Sequence, residues 1–223
     1  TFSYSVAHDL RAPLRAIGGF GQLLAMSRAV TDDAQAAEWL NDIRESAEVM
    51  EKLIDGLLRL AGVTRREIHR ERVDLAALAR QAASRLGVGA ERRIELVVPA
   101  ELPAHADPAL AAVLIDNLLG NAWKFTSKKE NARVELGVTT QAGVETFFVR
   151  DNGVGFDAAH GAQLFTPFRR FHAASEYPGS GIGLATVERI VRRHGGSVSA
   201  TGSVGEGATI YFSLSPPPPP PMA

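Results

Sequence analysis

Apolar residues recur at alternating spacings of three and four residues in two stretches of the chain, 2–24 and 40–61. Such spacing predicts two helices, each with a narrow apolar stripe of the coiled-coil type. Residues 31–33 (TDD) separate the stretches and supply turn and helix-capping side chains. The pattern therefore predicts an antiparallel helical hairpin over residues 1–68.

A single hairpin cannot cover both of its apolar stripes. Two hairpins side by side form a four-helix bundle, which buries both stripes. We therefore expect a homodimer through residues 1–68. The alternative is that the hairpin packs against the remainder of its own chain.

After residue 68 the pattern changes to short strands mixed with helices. The predicted strands are 94–98, 133–139, 146–151, 197–202 and 208–214, and the predicted helices are 73–86, 107–124 and 183–194. This mixture predicts a second domain of α/β class over residues 69–215, so the fold class is α plus α/β. Six prolines at positions 216–221 favour an extended conformation, and residues 216–223 are therefore expected to form a tail or linker.

Composition excludes several classes of protein. The 223 residues contain no cysteine, which rules out disulfides, thiolate metal sites and a cysteine nucleophile. The formal net charge of −1 argues against nucleic acid or an anionic membrane as a partner. No apolar run approaches the ~18 residues of a membrane-spanning helix. The chain begins at Thr1 rather than Met, so we expect it to be a fragment.

Two glycine-rich clusters lie at the ends of predicted elements. Residues 151–155 (DNGVG) follow a strand, and residues 179–183 (GSGIG) precede a helix. A glycine-rich turn that opens a helix offers backbone N–H groups and the positive end of the helix dipole to a phosphate. A buried carboxylate at Asp151 can accept a hydrogen bond from an adenine amine. Each cluster alone is also typical of an ordinary loop.

The predicted helix that ends near residue 124 carries a polar face. Asn117, Asn121 and Lys124 share this face within residues 116–126 (DNLLGNAWKFT). Asparagine is a mediocre helix former, so two at this spacing indicate a function. Amide oxygens suit Mg²⁺, and a lysine can meet a phosphate as a point charge. The alternative is a solvated polar stripe.

These segments together resemble the motifs of the sensor histidine kinases of two-component signalling. The similar segments are 5–17 (phosphoacceptor box), 116–126 (N box), 151–155 (first glycine box), 165–168 (FTPF, phenylalanine box) and 179–183 (second glycine box). Their order and spacing also fit, over about residues 1–214, and the later part is most similar to kinases of the phytochrome-like and PAS-linked type. The resemblance implies that an ATP-binding α/β sandwich of the gyrase and histidine-kinase superfamily follows the dimeric bundle in the sequence.

The resemblance also implies how the phosphates and the metal are bound. Asn121 would coordinate Mg²⁺, and Asn117 would support it. Lys124 would contact a phosphate, and Arg170 would meet the γ-phosphate. ATP and Mg²⁺ are therefore the expected cofactors.

At the other end of the nucleotide, the resemblance implies that Asp151 binds the adenine and that Thr209 lies near it. Glycines would let the backbone approach the nucleotide. These glycines are Gly153, Gly155, Gly179, Gly181 and Gly183.

One of the six histidines, His8, lies in the segment similar to the phosphoacceptor box. It falls roughly 150° from the apolar stripe of its helix, which places it on the outer face of the bundle. With the resemblance, His8 is the expected phosphoryl acceptor. Asp9 would accept a hydrogen bond from Nδ1–H, so that Nε2 faces the γ-phosphate. The other five are expected to be solvated or capping residues: His69, His105, His160, His172 and His194.

The expected activity is that of an ATP-dependent autokinase, which passes the phosphoryl group from His8 to an aspartate on the receiver domain of a response regulator. We expect it in the cytoplasm. The loop 169–179 (RRFHAASEYPG) is expected to close over the nucleotide, and the alternative is a plain connection. Two other functions remain open. One is a dimeric ATPase without histidine phosphorylation, and the other is a docking module, whose nucleotide site should be degraded.

Overall fold

A computed structural model describes residues 2–26, 33–65, 67–87, 94–173, 176–177 and 179–215. The chain divides into two compact units, Thr1–Gly62 and Val63–Ala223. The predicted boundary near residue 68 lies a few residues further along the chain. The predicted proline-rich tail, 216–223, lies outside the described residues.

The first unit consists of two helices, α1 (Phe2–Ala25) and α2 (Ala34–Arg65). Asp33 caps α2, because its Oδ1 accepts hydrogen bonds from the N–H groups of Gln35 at 3.0 Å and Ala36 at 3.1 Å. The predicted cap is therefore confirmed at Asp33. The remainder of the predicted turn lies outside the described residues.

The apolar stripes of the hairpin are only partly covered within the chain. Leu14, Leu40 and Ala47 are buried. Leu14 lies outside the predicted stripe, so the covered face of α1 is rotated from the predicted one. Other stripe residues are exposed: Ile17, Phe20, Leu24, Ile43 and Met50. Apolar side chains therefore remain exposed on both helices of the hairpin.

The second unit contains seven strands and four helices among the described residues. The strands are β1 (Glu71–Asp74), β2 (Ile94–Val97), β3 (Pro103–Ala106), β4 (Ala132–Gln141), β5 (Val144–Asp151), β6 (Val198–Ser203) and β7 (Gly207–Phe212). The helices are α3 (Leu75–Gly87), α4 (Pro108–Phe125), α5 (Gly183–Arg193) and one 3-10 helix (Ala158–Phe165).

The main sheet has five strands in the order β2-β4-β5-β7-β6. Strands β2 and β4 are parallel, and the other pairs are antiparallel. Strands β1 and β3 form a separate antiparallel pair. The sequence prediction missed this pair and assigned residues 73–74 to a helix. Both strands have only four residues, and β3 begins with a proline, which obscures the strand pattern.

Helix α4 provides much of the core that covers one face of the sheet. Its buried side chains include Leu114, Ile115 and Leu118. Phe147 and Val149 of β5 belong to the same apolar cluster. Because successive side chains of a strand point to opposite faces, Asp151 shares this helix-covered face with Phe147 and Val149. The packing of α4 on the sheet thereby decides that the Asp151 side chain points to the helix-covered face.

His194 joins the end of α5 to the start of α4 and is fully buried. Its Nδ1–H donates to the Ile190 carbonyl at 2.8 Å, and the N–H of Asp107 donates to its Nε2 at 3.1 Å. Asp107 in turn caps α4 by accepting from Leu110 N–H. His194 is therefore a buried capping residue, which confirms the capping alternative of the expectation and excludes the solvated one. Burial lowers its pKa, and the nearby Arg70 acts in the same direction.

We expect the second unit to lose stability below about pH 6.5 through His194. The folded state holds His194 as the neutral imidazole, whereas in the unfolded chain the imidazole takes up a proton near its ordinary pKa. The contribution of His194 to the free energy of unfolding is therefore complete above that pH and is lost as pH falls. The free energy of unfolding should therefore be lower at pH 5.5 than at pH 7.5.

Urea unfolding at pH 7.5 and 5.5 tests this expectation. The His194→Gln variant should be less stable than the wild type at pH 7.5, and the difference should shrink at pH 5.5. His105→Gln, at an exposed position of β3, is the control. An equal pH dependence in His194→Gln and the wild type would contradict the assignment.

Candidate functional site

Asp151 ends β5 and is a partly buried acceptor beside the first glycine-rich turn. Its Oδ1 accepts a hydrogen bond from Gly153 N–H at 2.8 Å. Burial raises the pKa of its carboxyl to about 6, although the N–H groups of Gly153 and Ala208 act in the opposite direction. The charge on Asp151 is thus poorly solvated in the chain alone, and a hydrogen-bond donor from a ligand would stabilise it.

The turn after Asp151 is packed too closely for any side chain at two positions. A Cβ at Gly153 would lie 2.5 Å from the Phe125 carbonyl oxygen, and one at Gly155 would overlap the Ser203 carbonyl. Gly155 also has a φ of 64°, which favours glycine. The turn is therefore fixed against both the end of α4 and the end of β6.

The strand register does not bring Thr209 to Asp151. Ala208 pairs with Asp151, and Thr209 pairs with Arg150. Paired residues share a face, so Thr209 lies on the face of the sheet opposite to Asp151. Its hydroxyl accepts a hydrogen bond from Arg150 Nε at 3.3 Å. This placement is a correction to the expectation that Thr209 lies near an adenine held by Asp151.

The asparagine face of α4 lies directly against the start of α5. Asn117 Nδ2 donates to the Val113 carbonyl at 2.7 Å. A Cβ at Gly183 would lie 3.1 Å from Asn117 Oδ1 and 3.6 Å from Asn121 Nδ2. The structure thus brings together two motifs that lie about 60 residues apart in the sequence.

Lys124 and Arg170 are close enough to affect each other. Burial lowers the pKa of Lys124, and the positive charge of Arg170 lowers it further. A Cβ at Gly179 would lie 3.1 Å from Lys124 Nζ, so the second glycine cluster also meets this lysine. Arg170 Nη2 donates to the Tyr177 carbonyl at 2.8 Å. Two like charges are held near each other, an arrangement that an anion between them would stabilise.

Helix α5 begins at Gly183, and no side chain of the described residues caps it. The N–H groups of its first turn are therefore available to a ligand, and the helix dipole favours an anion there. The preceding Gly181 has a φ of 72°, and its carbonyl accepts a hydrogen bond from Phe168 N–H at 3.0 Å. The segments 165–168 and 179–183 are thereby joined.

A cluster of three rings, which the sequence pattern does not predict, lies between the loop and the end of α4. The ring centroids of Phe125, His172 and Tyr177 lie 5.4 Å apart in each pair. His172 Nε2–H donates to the Gly155 carbonyl at 3.0 Å. His172 is therefore a half-buried residue bonded to a loop carbonyl, rather than the expected solvated or capping residue. The only signal in the sequence is the presence of aromatic side chains in an otherwise polar loop.

Several expected features fall outside what the structure describes. The backbone of His8 and Asp9 lies in α1, but their side chains are outside the described set.

Within the described residues, no cluster of acidic and histidine side chains is arranged to hold a metal ion. A search of the same residues finds no helix of the length and hydropathy that a bilayer requires.

We expect Gly183→Ala to weaken nucleotide binding without destabilising the fold. Alanine is favoured over glycine within a helix, but its methyl group would press on the Asn117 amide oxygen at 3.1 Å and displace it. The affinity for Mg-ATP should fall roughly tenfold, as for one misplaced polar contact. Gly120→Ala, whose Cβ meets open space, is the control for nucleotide titration. Equal affinity in the two variants would contradict the placement.

Two family comparisons divide the chain as the structure does. Residues 106–218 match the family "Histidine kinase-, DNA gyrase B-, and HSP90-like ATPase". Residues 1–64 match the "His Kinase A (phospho-acceptor) domain". The first match covers α4, α5 and the glycine-rich turns, and the second covers α1 and nearly all of α2.

Curated relatives align with nearly the whole chain. Cyanobacterial phytochrome B of Nostoc sp. is 32% identical over 96% of this chain and 29% of that protein. Sensor protein CreC of Escherichia coli is 32% identical over 89% of this chain and 41% of that protein. The chain thus spans less than half the length of these relatives.

Solved structures have a similar fold. Full-length ShkA, crystallised with AMPPNP, aligns with a TM-score of 0.64 and 27% identity over 99% of this chain and 47% of that chain. AdeS of Acinetobacter baumannii, a histidine kinase, aligns with a TM-score of 0.60 and 20% identity over 93% of this chain and 98% of that one.

Proposed function

The chain belongs to the sensor histidine kinases of two-component systems, and from this membership we propose that it transfers the γ-phosphoryl group of ATP to His8. The observation that carries the proposal is the convergence of Asp151, the Asn117–Asn121 face and Lys124 on the two glycine-rich segments. Asp151 supplies a hydrogen-bond acceptor at one end of the site, and Lys124 with the neighbouring Arg170 supplies positive charge at the other.

Asp151 accepts a hydrogen bond from the adenine amine. The carboxylate is fixed by Gly153 N–H, and its burial makes the added donor valuable because it lowers the free energy of the charged form. Related full-length ShkA was crystallised with the ATP analogue AMPPNP, which supports ATP as the nucleotide.

The phosphates lie at the start of α5. The free N–H groups of its first turn, together with Lys124 and Arg170, face the polyanion. Arg170 stabilises the charge on the transferring phosphoryl group. Binding of ATP relieves the repulsion between Lys124 and Arg170, so we expect the pKa of Lys124 to rise in the complex.

The residues present fit a magnesium ion. Asn117 donates through its Nδ2 to the Val113 carbonyl, so its oxygen faces the start of α5 beside the Asn121 amide. Amide oxygens are ligands that Mg²⁺ accepts. Asn121 would hold the ion with Asn117 in support, and the ion would neutralise phosphate charge when bound.

His8 is the nucleophile on α1. The lone pair of its neutral Nε2 forms the N–P bond while the bond from the γ-phosphorus to the β-phosphate oxygen breaks, and ADP leaves. Asp9 accepts the Nδ1–H hydrogen bond and stabilises the positive charge on the ring. The phosphoryl group then passes to an aspartate of a receiver domain, where an O–P bond replaces the N–P bond. We propose that this part of the protein lies in the cytoplasm, where ATP is supplied.

The exposed apolar surface of the hairpin favours a homodimer. Ile17, Phe20 and Leu24 on α1 and Ile43 and Met50 on α2 are exposed in the single chain. A second hairpin covers such a surface in a four-helix bundle. Assembly through residues 1–68 therefore presents His8 on a dimeric bundle.

Incubation with γ-labelled ATP and Mg²⁺ tests the proposed activity. The chain should acquire a label that is labile in acid and stable in base, and His8→Ala should not. His69→Ala and His105→Ala are the controls, because both side chains are exposed in the second unit. Release of inorganic phosphate without a label on the chain would favour the ATPase alternative, and failure to bind Mg-ATP would favour the docking module.

A further inference from the structure

The loop that carries Arg170 is held by contacts at several points. Arg170 donates to the carbonyl of Tyr177, and Tyr177 N–H donates to the Ala173 carbonyl at 3.1 Å. Lys128 Nζ forms an ion pair with Glu176 at 2.6 Å and lies 5.1 Å from the centroid of the Tyr177 ring. The described part of the loop is therefore a folded turn whose aromatic residue is buried.

His172 connects this turn to the one that follows Asp151. A carbonyl oxygen can only accept, so the 3.0 Å contact with Gly155 requires a hydrogen on Nε2. Gly155 packs closely against the backbone of Ser203, since a Cβ added at Gly155 would overlap the Ser203 carbonyl. The imidazole therefore bonds to a closely packed partner, while its ring packs against Phe125 and Tyr177.

We propose that His172 is a positioning residue for phosphoryl transfer. By donating Nε2–H to the Gly155 carbonyl, it fixes the described residues 170–173 and 176–177 against the adenine end of the site, so that Arg170 reaches the phosphoryl group in one orientation. His172 has no contact with the reacting atoms in this scheme and acts through Arg170. The inference rests on the proposed function, because it requires Arg170 to act on the phosphate.

His172→Phe separates the hydrogen bond from the ring packing. Phenylalanine keeps an aromatic ring between Phe125 and Tyr177 but cannot donate to Gly155. We expect kcat for autophosphorylation to fall roughly five- to tenfold, as for the loss of one hydrogen bond that orients a catalytic group, while KM for ATP changes less than twofold. His160→Phe is the matched control, because the His160 ring lies 5.2 Å from Phe171 of the same loop.

A double-mutant cycle with Arg170→Ala tests whether His172 acts through Arg170. In the Arg170→Ala background, His172→Phe should reduce kcat by less than twofold. If the two reductions multiply, or if His172→Phe behaves as the control does, the proposal is overturned. A residue that only stabilises the fold would lower the unfolding temperature without this coupling.

Trypsin digestion of the nucleotide-free chain provides a readout that does not need activity. The anchored turn should protect the bonds after Arg169 and Arg170, and His172→Phe should raise the cleavage rate there several-fold over the wild type and His160→Phe. Faster cleavage in a chain that lacks autokinase activity would retain the anchor and reject the proposed function. If His172→Phe is cleaved at the same rate as the wild type, and the wild type is active in autophosphorylation, the proposed anchoring role of His172 is rejected and the proposed function is retained.

Discussion

The Asp151→Asn variant is expected to be more stable than the wild type in the absence of nucleotide and to lose its affinity for ATP. Burial raises the pKa of Asp151 to about 6, above the ordinary aspartate value. The folded state therefore binds a proton more tightly than the unfolded chain does. The protonated Asp151 therefore adds to the stability of the folded state at low pH, and this stabilisation is lost as pH rises from about 4 to about 6. At neutral pH the folded state carries the full free-energy penalty of a poorly solvated carboxylate.

Asparagine removes the penalty because it carries no charge, and its oxygen can still accept from Gly153 N–H. The gain at pH 7.5 is up to about 2–3 kcal/mol by the pKa difference, and it should vanish near pH 4. The asparagine NH₂ would then face the adenine amine, donor against donor. ATP affinity should fall by roughly 100-fold, as for an unpaired polar group in a closed site.

Urea unfolding at pH 7.5 and 4.5, together with nucleotide titration, checks both parts. Asp157→Asn is the matched control, because Asp157 is exposed and its Oδ1 accepts from Ala159 N–H at the start of the 3-10 helix. A destabilised Asp151→Asn variant at pH 7.5, or one that binds ATP as tightly as the wild type, would contradict the assigned role.

Substitutions in the two units should separate phosphoryl transfer from nucleotide binding. His8→Ala removes the acceptor but no part of the nucleotide site, so its affinity for Mg-ATP should stay within about twofold of the wild type while autophosphorylation disappears. Asn121→Ala removes a ligand proposed for Mg²⁺. It should reduce the magnesium-dependent rate by roughly 100-fold or more, because the ion offsets charge that develops in the transition state.

Nucleotide titration and initial rates at several Mg²⁺ concentrations measure this difference. Asn41→Ala is the control for asparagine in a helix, since Asn41 lies in α2 and hydrogen-bonds to Glu45. Loss of ATP binding in His8→Ala would show that the acceptor also belongs to the nucleotide site. A magnesium response in Asn121→Ala equal to that of the control would remove this residue from the metal site.

The helices whose apolar residues recur at regular spacing were predictable from the sequence. Helices α1, α2 and α4 carry long apolar periods, and the predicted class of a helical hairpin followed by an α/β domain is confirmed. The proximity of the asparagine face and the second glycine cluster could not be predicted from periodicity. Periodicity shows which side of a helix is polar but not which distant segment meets it.

The errors have local physical reasons. Thr209 and Ala208 are adjacent, and a shift of one residue moves a side chain to the other face of a sheet, so register decides which one faces Asp151. His172 lies in a loop without a period, and its bond to Gly155 depends on tertiary packing.

The site of phosphorylation tests the central claim most directly. The intact chain should be incubated with Mg-ATP, kept alkaline, digested with trypsin and analysed by fragmentation mass spectrometry of the peptide from Thr1 to Arg11. The account predicts one phosphoryl group on His8, which forms with Mg-ATP, is absent with Mg-ADP, and is lost in acid. A chain that binds Mg-ATP and becomes phosphorylated only elsewhere, or not at all, would contradict it.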